Sequence, residues 1–160
     1  MAGEAAAGGE VALRPALPEE AHLLGDLALR SKGHWGYDAA FLEACRDELA
    51  VRPGDVASRR AVVALEAGGR VVGFYTLDGE PPRGELGMLF VEPDRIGTGV
   101  GRLLWSDMVT SARRIGFQSI RIEADPGAVE FYVGMGAHVI GVVPSGSIAG
   151  RSIPLLEFRT

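Results

Sequence analysis

The sequence has 160 residues, a formal net charge of −5 and a hydrophobic fraction of 47%, which fits one domain with a sizeable core. This acidic balance excludes a non-specific nucleic-acid binder, which needs a basic surface, and no apolar run approaches the roughly 20 residues that a membrane span requires. The single cysteine, Cys45, excludes an internal disulfide and a cysteine-based metal cluster, so we expect a cytoplasmic protein.

The first predicted elements follow a short tail. Residues 1–9 consist mostly of Ala, Gly and Glu, a composition that predicts disorder. We expect one domain over residues 10–160, which begins with a strand around Val11 and Leu13. Pro18 and the two glutamates after it predict the start of a helix, because proline suits the first turn and acids suit the positive end of the helix dipole.

A loop, a second helix and a meander of strands come next. The aromatic segment 31–37 predicts a loop, and Asp38 can cap the helix after it. Val-rich runs at residues 60–66 and 70–77 predict two strands joined by a tight Gly-Gly turn. Residues 78–84 contain two prolines and two glycines and therefore predict a turn.

The second half of the chain alternates strands and helices. Residues 85–92 predict the last strand of the meander, and an amphipathic helix that ends near Gly116 follows a glycine-punctuated segment at 96–101. The remaining predicted elements are a strand at 119–124, a helix at 129–135 and strands at 138–143 and 151–158. This order predicts an α/β fold with a mixed, mostly antiparallel central sheet flanked by helices.

Three glycines at alternate positions, Gly97, Gly99 and Gly101, lead from a strand into the long helix. The first amides of a helix have no internal acceptor and lie at the positive end of its dipole, so they suit a phosphate that glycine lets approach closely. We expect the apolar Ile96 and Val100 to pack behind this loop. The sequence has no Gly-Lys pair for a Walker loop and lacks the third glycine of the dinucleotide fingerprint. A glycine-rich helix start without a ligand stays open.

Two motifs carry a family resemblance. The first resembles the coenzyme A loop of the GNAT (GCN5-related N-acetyltransferase) family and reads Val91-x-Pro93-x-x-Ile96-Gly97-x-Gly99-x-Gly101-x-Leu103-Leu104. The family usually has Arg or Gln where this chain has Ile96, and Arg95 stands one residue earlier. The second resembles the family's Asn-x-x-Ala-x-x-Phe-Tyr-x-x-x-Gly-Phe segment, with Asp125 for Asn and Ala137 for Phe, and reads Asp125-Pro126-x-Ala128-x-x-Phe131-Tyr132-x-x-x-Gly136-Ala137.

The resemblance implies a GNAT-like acyl-CoA acyltransferase fold and an N-acetyltransferase that moves the acetyl group of acetyl-CoA to an amine of a small molecule or peptide. The implied partners are acetyl-CoA and an amine acceptor, with no metal, nucleic acid or membrane, and with a homodimer as an option. A non-catalytic acyl-CoA binding or sensing module stays open, as does an enzyme that acetylates another protein. The implied cofactor-binding residues are Leu89, Phe90, Val91, Ile96, Gly97, Thr98, Gly99, Val100, Gly101, Arg102, Asp125 and Phe131.

Acyl transfer needs a group that protonates the leaving thiolate and a group that accepts the proton of the amine. The resemblance implies Tyr132 as the proton donor and a backbone amide near Phe90 as the donor to the oxyanion. Strand alternation places Glu85 on one face with Gly87, Leu89 and Val91, and makes it the candidate base. Glu123 and Asp125 stay open as alternatives, as does the absence of a dedicated base.

Two segments are expected to border the acceptor. The segment 31–37 offers Trp35 and Tyr37, and the hydroxyl-rich segment 144–151 offers Ser145 and Arg151. Both are interpreted as walls of one pocket, although either could be an ordinary turn. An acidic cleft would favour polyamines or basic peptides, whereas an inward Arg151 would favour an acceptor with a carboxylate.

Overall fold

The computed structural model describes residues 10–160, so the tail predicted at residues 1–9 lies outside the described residues. The strands are β1 (Val11–Pro15), β2 (Val62–Glu66), β3 (Val71–Glu80), β4 (Arg83–Val91), β5 (Ser119–Glu123), β6 (His138–Pro144) and β7 (Ser152–Arg159). The helices are α1 (Ala21–Gly33), α2 (Ala39–Leu49), α3 (Val100–Ile115) and α4 (Val129–Gly134). Their order along the chain is the predicted one.

All seven strands form one mixed sheet in the order β1-β2-β3-β4-β5-β7-β6. Every neighbouring pair is antiparallel except β4 and β5, which run parallel. The buried side chains form two clusters, since alternate residues of a strand point to opposite faces. Leu24, Leu27 and Cys45 of α1 and α2 belong to one cluster, and Leu104 and Met108 of α3 belong to the other. The predicted α/β fold with a mixed sheet flanked by helices is confirmed.

Two predicted loops are shorter than the sequence indicated. Helix α1 continues to Gly33, because Ser31 is buried in its last turn and Lys32 binds Asp125 across the cleft. The predicted turn at residues 78–84 is wrong, because β3 reaches Glu80 and β4 starts at Arg83. Only two prolines separate these strands, so the residues on either side of them are free to pair.

A bulge in β4 changes which residues of that strand point to each face of the sheet. Gly87 has no partner on β3, because the pairing passes from Leu86 directly to Met88. An extra residue shifts the alternation by one. Leu86 therefore packs with α3, whereas Met88 packs with α1 and α2. The expectation that Glu85 shares a face with Leu89 and Val91 is wrong, since those two pack on the side of α3 whereas Glu85 lies on the side of α1 and α2.

Strands β4 and β5 separate soon after they meet. Their pairing covers only residues 83–85 against residues 119–121, and the rest of β4 has no β5 partner within the described residues. This gap leaves the backbone amides and carbonyls of residues 86–91 that point away from β3 available at an edge inside the sheet. Helix α3 begins beyond the end of β4, so the gap and the helix N-terminus lie next to each other. Separately, none of the helices within residues 10–160 is long and apolar enough to cross a membrane.

Candidate active site

A cavity of about 770 Å³ occupies the gap between β4 and β5. One end lies at the glycine loop before α3, and the other lies between α1, α2 and the segment that joins β6 to β7. Three predicted site residues, Thr98, Val100 and Tyr37, do not line it. The predicted site residues that do line it are Trp35, Glu85, Leu89, Phe90, Val91, Ile96, Gly97, Gly99, Gly101, Arg102, Asp125, Phe131, Tyr132, Ser145 and Arg151.

The glycine loop exposes the N-terminus of α3 to the cavity. Gly97 and Gly99 have φ values of +85° and +100°, a backbone conformation that side chains disfavour, and a Cβ added at either would meet no atom within 4 Å. The first helical hydrogen bond runs from the Leu103 amide to the Gly99 carbonyl. The N–H groups of residues 100–102 therefore have no acceptor within the helix. The open space in front of the loop can admit an anion that accepts from them.

Three ion pairs fasten the start of this loop to the rest of the fold. The buried Glu92 accepts two hydrogen bonds from Arg30 of α1, and Arg95 donates to Glu66 of β2 over 2.6 Å. Arg95 is therefore engaged away from the cavity. Because the loop is held on both sides, its free amides are positioned before a ligand arrives. The three pairs are Arg30–Glu92, Arg70–Asp94 and Arg95–Glu66.

The apolar residues of the loop differ in their placement. Val100 is buried beneath the loop, as expected, whereas Ile96 is 36% exposed and lines the cavity. The expectation that Ile96 packs behind the loop is wrong, because the positive φ of Gly97 turns the chain there. The Thr98 hydroxyl and the Thr98 amide both donate to the Arg95 carbonyl, so Thr98 has no free donor, whereas Val100 can offer a ligand its backbone amide.

Tyr132 places a hydroxyl against the middle of the cavity. The residue is only 6% exposed, and its hydroxyl has no hydrogen-bond partner within residues 10–160. The rings of Trp105 and Phe131 pack against it with centroid distances of 5.8 and 5.2 Å, which fixes its orientation. Burial raises the pKa of Tyr132 far above its usual value, so the hydroxyl stays protonated and can act as an acid.

Glu85 lies on the other side of the gap among charged neighbours. Burial raises the pKa of Glu85, and the nearby carboxylates of Glu123 and Asp78 raise it further, against the opposing effect of Arg59. Asp78 is itself neutralised by Arg59, whose guanidinium donates to it over 3.0 and 2.9 Å. Glu85 is thus a stronger base than an ordinary surface carboxylate.

Gly87 makes room for that ion pair. A Cβ added there would lie 1.9 Å from an Asp78 carboxylate oxygen and 2.7 Å from an Arg59 guanidinium nitrogen. Since no Cβ approaches other atoms so closely, any larger residue would displace the pair. The same glycine that forms the bulge therefore also lets Arg59 and Asp78 lie against β4.

Asp125 joins the two segments that were predicted to border the acceptor. Its carboxylate accepts hydrogen bonds from the Lys32 ammonium at 3.1 Å, the Tyr37 hydroxyl at 2.8 Å and the Gly127 amide at 2.9 Å. The Arg151 guanidinium donates to the Tyr37 oxygen at 2.8 Å and lies 4.0 Å from the carboxylate. Burial alone would raise the pKa of Asp125, but these donors and the Lys32 charge lower it.

The structure brings the two acceptor segments together around this carboxylate. Trp35 packs on Gly127, where an added Cβ would lie 3.0 Å from its ring. Ser145 and Arg151 line the same cavity as Trp35, while Tyr37 supports them from behind. Sequence reasoning had treated Asp125 as a cofactor ligand or a base; the structure makes it the anchor between α1 and the β6–β7 segment.

Replacing Asp125 with asparagine is expected to lower the free energy of unfolding by about 1–3 kcal/mol at pH 7, because Lys32 and Arg151 lose their counter-charge. The folded-state pKa is lowered, so this stabilisation is present above about pH 4 and is lost as pH falls through the folded-state value. Urea unfolding of Asp125→Asn and of the exposed control Asp47→Asn measures it. Equal midpoints for parent and Asp125→Asn at pH 7 would contradict the anchoring role.

Several residues of the site gave no recognisable sequence signal. Arg59 and Asp78 are 19 residues apart, and Lys32 and Asp125 are 93 residues apart, so only the fold reveals these pairs. Glu48 lines the cavity and accepts a hydrogen bond from the Ser147 hydroxyl. Its position three residues after Cys45, at the edge of the face that α2 turns inward, is the one signal that could have found it.

Comparisons with known proteins agree with this geometry. The family model of the acetyltransferase (GNAT) domain matches residues 23–144. A comparison with curated protein sequences finds no match. Within residues 10–160, no group of three or more His, Cys, Asp or Glu side chains is placed to hold a metal ion.

Solved structures share the fold over almost the whole chain. A GCN5-related N-acetyltransferase from Rhodopseudomonas palustris is 26% identical, with a TM-score of 0.75 over 93% of this chain and 95% of its own. PaiA N-acetyltransferase from Thermoplasma acidophilum, in complex with coenzyme A, is 17% identical, with a TM-score of 0.76 over 94% and 99%. YncA from Salmonella typhimurium, with its cofactor acetyl-CoA, is 18% identical, with a TM-score of 0.65 over 94% of both chains. The chain belongs to the GNAT acetyltransferase family.

Proposed function

We propose that this protein is an N-acetyltransferase that transfers the acetyl group of acetyl-CoA to an amine of a small molecule or peptide by direct attack of the amine on the thioester. The observation that carries the proposal is the single cavity that connects the anion-binding loop, the unpartnered Tyr132 hydroxyl and the Glu85 carboxylate. The solved relatives with coenzyme A and acetyl-CoA support the same co-substrate here. The buried, unpaired Cys45 is consistent with a cytoplasmic site of action.

The residues around the cavity fit acetyl-CoA. The free amides of Gly97 and of residues 99–102 would hold its pyrophosphate, and Arg102 at the cavity edge would add a positive charge. The unpaired edge of β4, residues 86–91, would bind the amide groups of the pantetheine arm as a neighbouring strand would. Phe131 and Ile96 would offer apolar contact between these two regions.

The transfer forms a carbon–nitrogen bond and breaks a carbon–sulfur bond. Glu85, directly or through water, accepts the proton that the ammonium group of the acceptor must lose before it attacks. A backbone amide near Phe90 stabilises the oxyanion of the tetrahedral intermediate. The Tyr132 hydroxyl then donates its proton to the departing thiolate, and the second proton that the nitrogen loses as the amide forms returns to Tyr132 through water. Each of these groups borders the gap between β4 and β5.

A non-catalytic acyl-CoA binding module is the second candidate, and the site argues against it. A binding module has no need of a tyrosine hydroxyl that faces the cavity and is left without a partner among the described residues. Nor does it need Glu85 held among like charges, which is unfavourable. Both features are useful to an enzyme that moves protons during catalysis.

The proposal is tested by release of free thiol from acetyl-CoA in the presence and absence of primary amines. We expect release that depends on both the protein and the amine. Binding of acetyl-CoA without amine-dependent release for any amine in a broad panel would overturn the proposal in favour of the binding module.

Glu85→Gln separates a catalytic role from a structural one. We expect kcat/KM to fall at least about tenfold, because the variant has no base to accept the ammonium proton. We also expect no loss of stability at neutral pH. The folded-state pKa of Glu85 is raised, so ionisation of this residue disfavours the fold as pH rises through that value, and glutamine removes the penalty. Thermal unfolding and steady-state kinetics measure both. A less stable variant with full activity would contradict the assignment.

A further inference from the structure

The acceptor end of the cavity is lined by more acids than bases. Besides Asp125, the carboxylates there are those of Glu48, Asp78, Glu85 and Glu123, and they come from α2, β3, β4 and β5. The bases that line it are Lys32, Arg59 and Arg151, while Arg121 of β5, outside the lining, also acts on Glu85. A surplus of carboxylates facing one cleft favours a cationic ligand.

All three bases at this end already have partners within the protein. Arg59 makes two hydrogen bonds to Asp78, and Lys32 makes a hydrogen bond to Asp125. Arg151 donates to the Tyr37 hydroxyl and lies over the Tyr37 ring at 5.3 Å from its centroid. An acceptor carboxylate would therefore have to displace an internal contact to reach any of these cations.

Three of the carboxylates have no such counter-ion. Glu48, Glu85 and Glu123 form no salt bridge within residues 10–160, although Glu48 accepts a hydrogen bond from Ser147. Glu85 and Glu123 are close enough that Glu123 contributes to the raised pKa of Glu85. Carboxylates that repel one another across a cavity are stabilised when a cation enters between them.

We propose that the acceptor is a small diamine or polyamine, whose reacting amine lies at Glu85 while a second ammonium group binds Glu123 and Glu48. This inference rests on the proposed N-acetyltransferase function and names its substrate class. The Tyr132 side chain, which is more than nine-tenths buried, turns a hydroxyl without a partner in residues 10–160 into the same cavity, and this second observation marks the cavity as a ligand site. A volume of about 770 Å³ accommodates a flexible amine beside the thioester.

The walls of the cavity favour a small molecule over a peptide. Asp125 ties the end of α1 to the β6–β7 segment, and the Ser147 hydroxyl ties that segment to Glu48 of α2. These contacts close the acceptor end on two sides, whereas a peptide chain would need an open groove to pass through.

The test compares putrescine, a four-carbon diamine, with butylamine, its monoamine counterpart, as acceptors of the intact protein. We expect kcat/KM for putrescine to exceed that for butylamine by about tenfold or more at low salt, with the ratio shrinking at high salt as the charges are screened. Glu123→Gln should reduce the ratio by about tenfold, and Glu48→Gln should reduce it by a smaller factor because that carboxylate lies at the rim. Asp47→Asn, the same charge change one residue from Glu48 but outside the cavity, should keep the parent ratio.

The outcomes separate this inference from the function on which it rests. If butylamine is acetylated as well as putrescine, or if Glu123→Gln keeps the parent ratio, the second-ammonium site is wrong while the acetyltransferase stands. If lysine-rich peptides are acetylated and neither small amine is, the small-molecule class is wrong. If no amine of any kind is acetylated, the proposed function itself fails.

Discussion

Replacing Gly99 with valine is expected to raise the Kd for acetyl-CoA by about 100-fold or more. Gly99 has a φ of +100° and stands at the start of α3, where its missing side chain leaves space in front of the amides of the first turn. A branched side chain would occupy that space and shift the loop, so several charge-assisted hydrogen bonds to a phosphate would be lost together. Titration calorimetry of acetyl-CoA into the folded variant measures the effect.

The matched control for this variant is Gly69→Val. Gly69 has a φ of +91° in the hairpin between β2 and β3, and an added Cβ there also meets nothing within 4 Å. Valine at this position therefore has similar backbone strain, about 1–3 kcal/mol, and Gly69 does not line the cavity. We expect comparable losses of stability in the two variants and a loss of affinity only in Gly99→Val. Unchanged affinity in folded Gly99→Val would show that the loop does not hold the co-substrate.

Replacing Tyr132 with phenylalanine is expected to lower kcat by about 10². The change removes only a hydroxyl that has no partner within the described residues, so the core packing against Trp105 and Phe131 should persist. The affinity for acetyl-CoA should persist too, because the anion-binding amides lie elsewhere. Single-turnover kinetics with acetyl-CoA and an accepted amine separate the chemical step from binding.

Tyr75→Phe serves as the control for the loss of a buried tyrosine hydroxyl. Tyr75 is also fully buried, but its hydroxyl donates to Asp107 at 2.7 Å and it does not line the cavity. Its replacement should reduce stability by about 1 kcal/mol and leave kcat unchanged. If Tyr132→Phe and Tyr75→Phe both retained full turnover, water or the acceptor would have to supply the proton to the thiolate.

Much of the fold could be predicted because its signals are local. Val-rich runs separated by tight turns define the meander, and the Asp38 side chain caps α2 through the Phe41 amide, as its position indicated. Gly116 ends α3 with a φ of +109°, which is the conformation that makes glycine common at this position. Each of these features depends on a few consecutive residues, so the sequence alone contains the information.

The register of β4 could not be predicted in the same way. Alternation assigns a face to every second residue, and one extra residue reverses the assignment for everything on its other side. Gly87 carries no side chain whose polarity would reveal the bulge. The sequence therefore placed Glu85 on the face of Leu89, whereas the structure places it toward α1 and α2.

The two ends of the candidate site differ in how far apart their residues lie in the sequence. The anion-binding loop is one contiguous segment, so its glycines and the following helix could be recognised together. The acceptor end is assembled from α1, α2, β3, β4, β5 and the β6–β7 segment. Pairs such as Arg59–Asp78 and Lys32–Asp125 exist only because strands and helices distant in sequence meet there. The arrangement of their charges, on which the proposed choice of acceptor rests, emerges only from the fold.

The central claim is that this chain transfers an acetyl group to an amine, and mass spectrometry of the reaction product tests it most directly. The protein is incubated with acetyl-CoA and a panel of diamines and monoamines, beside Gly99→Val and Tyr132→Phe under the same conditions. The account predicts an N-acetylated amine in amounts equal to the coenzyme A released, with both variants strongly reduced. Release of coenzyme A with free acetate and no acetylated amine, or equal product from parent and both variants, would contradict it.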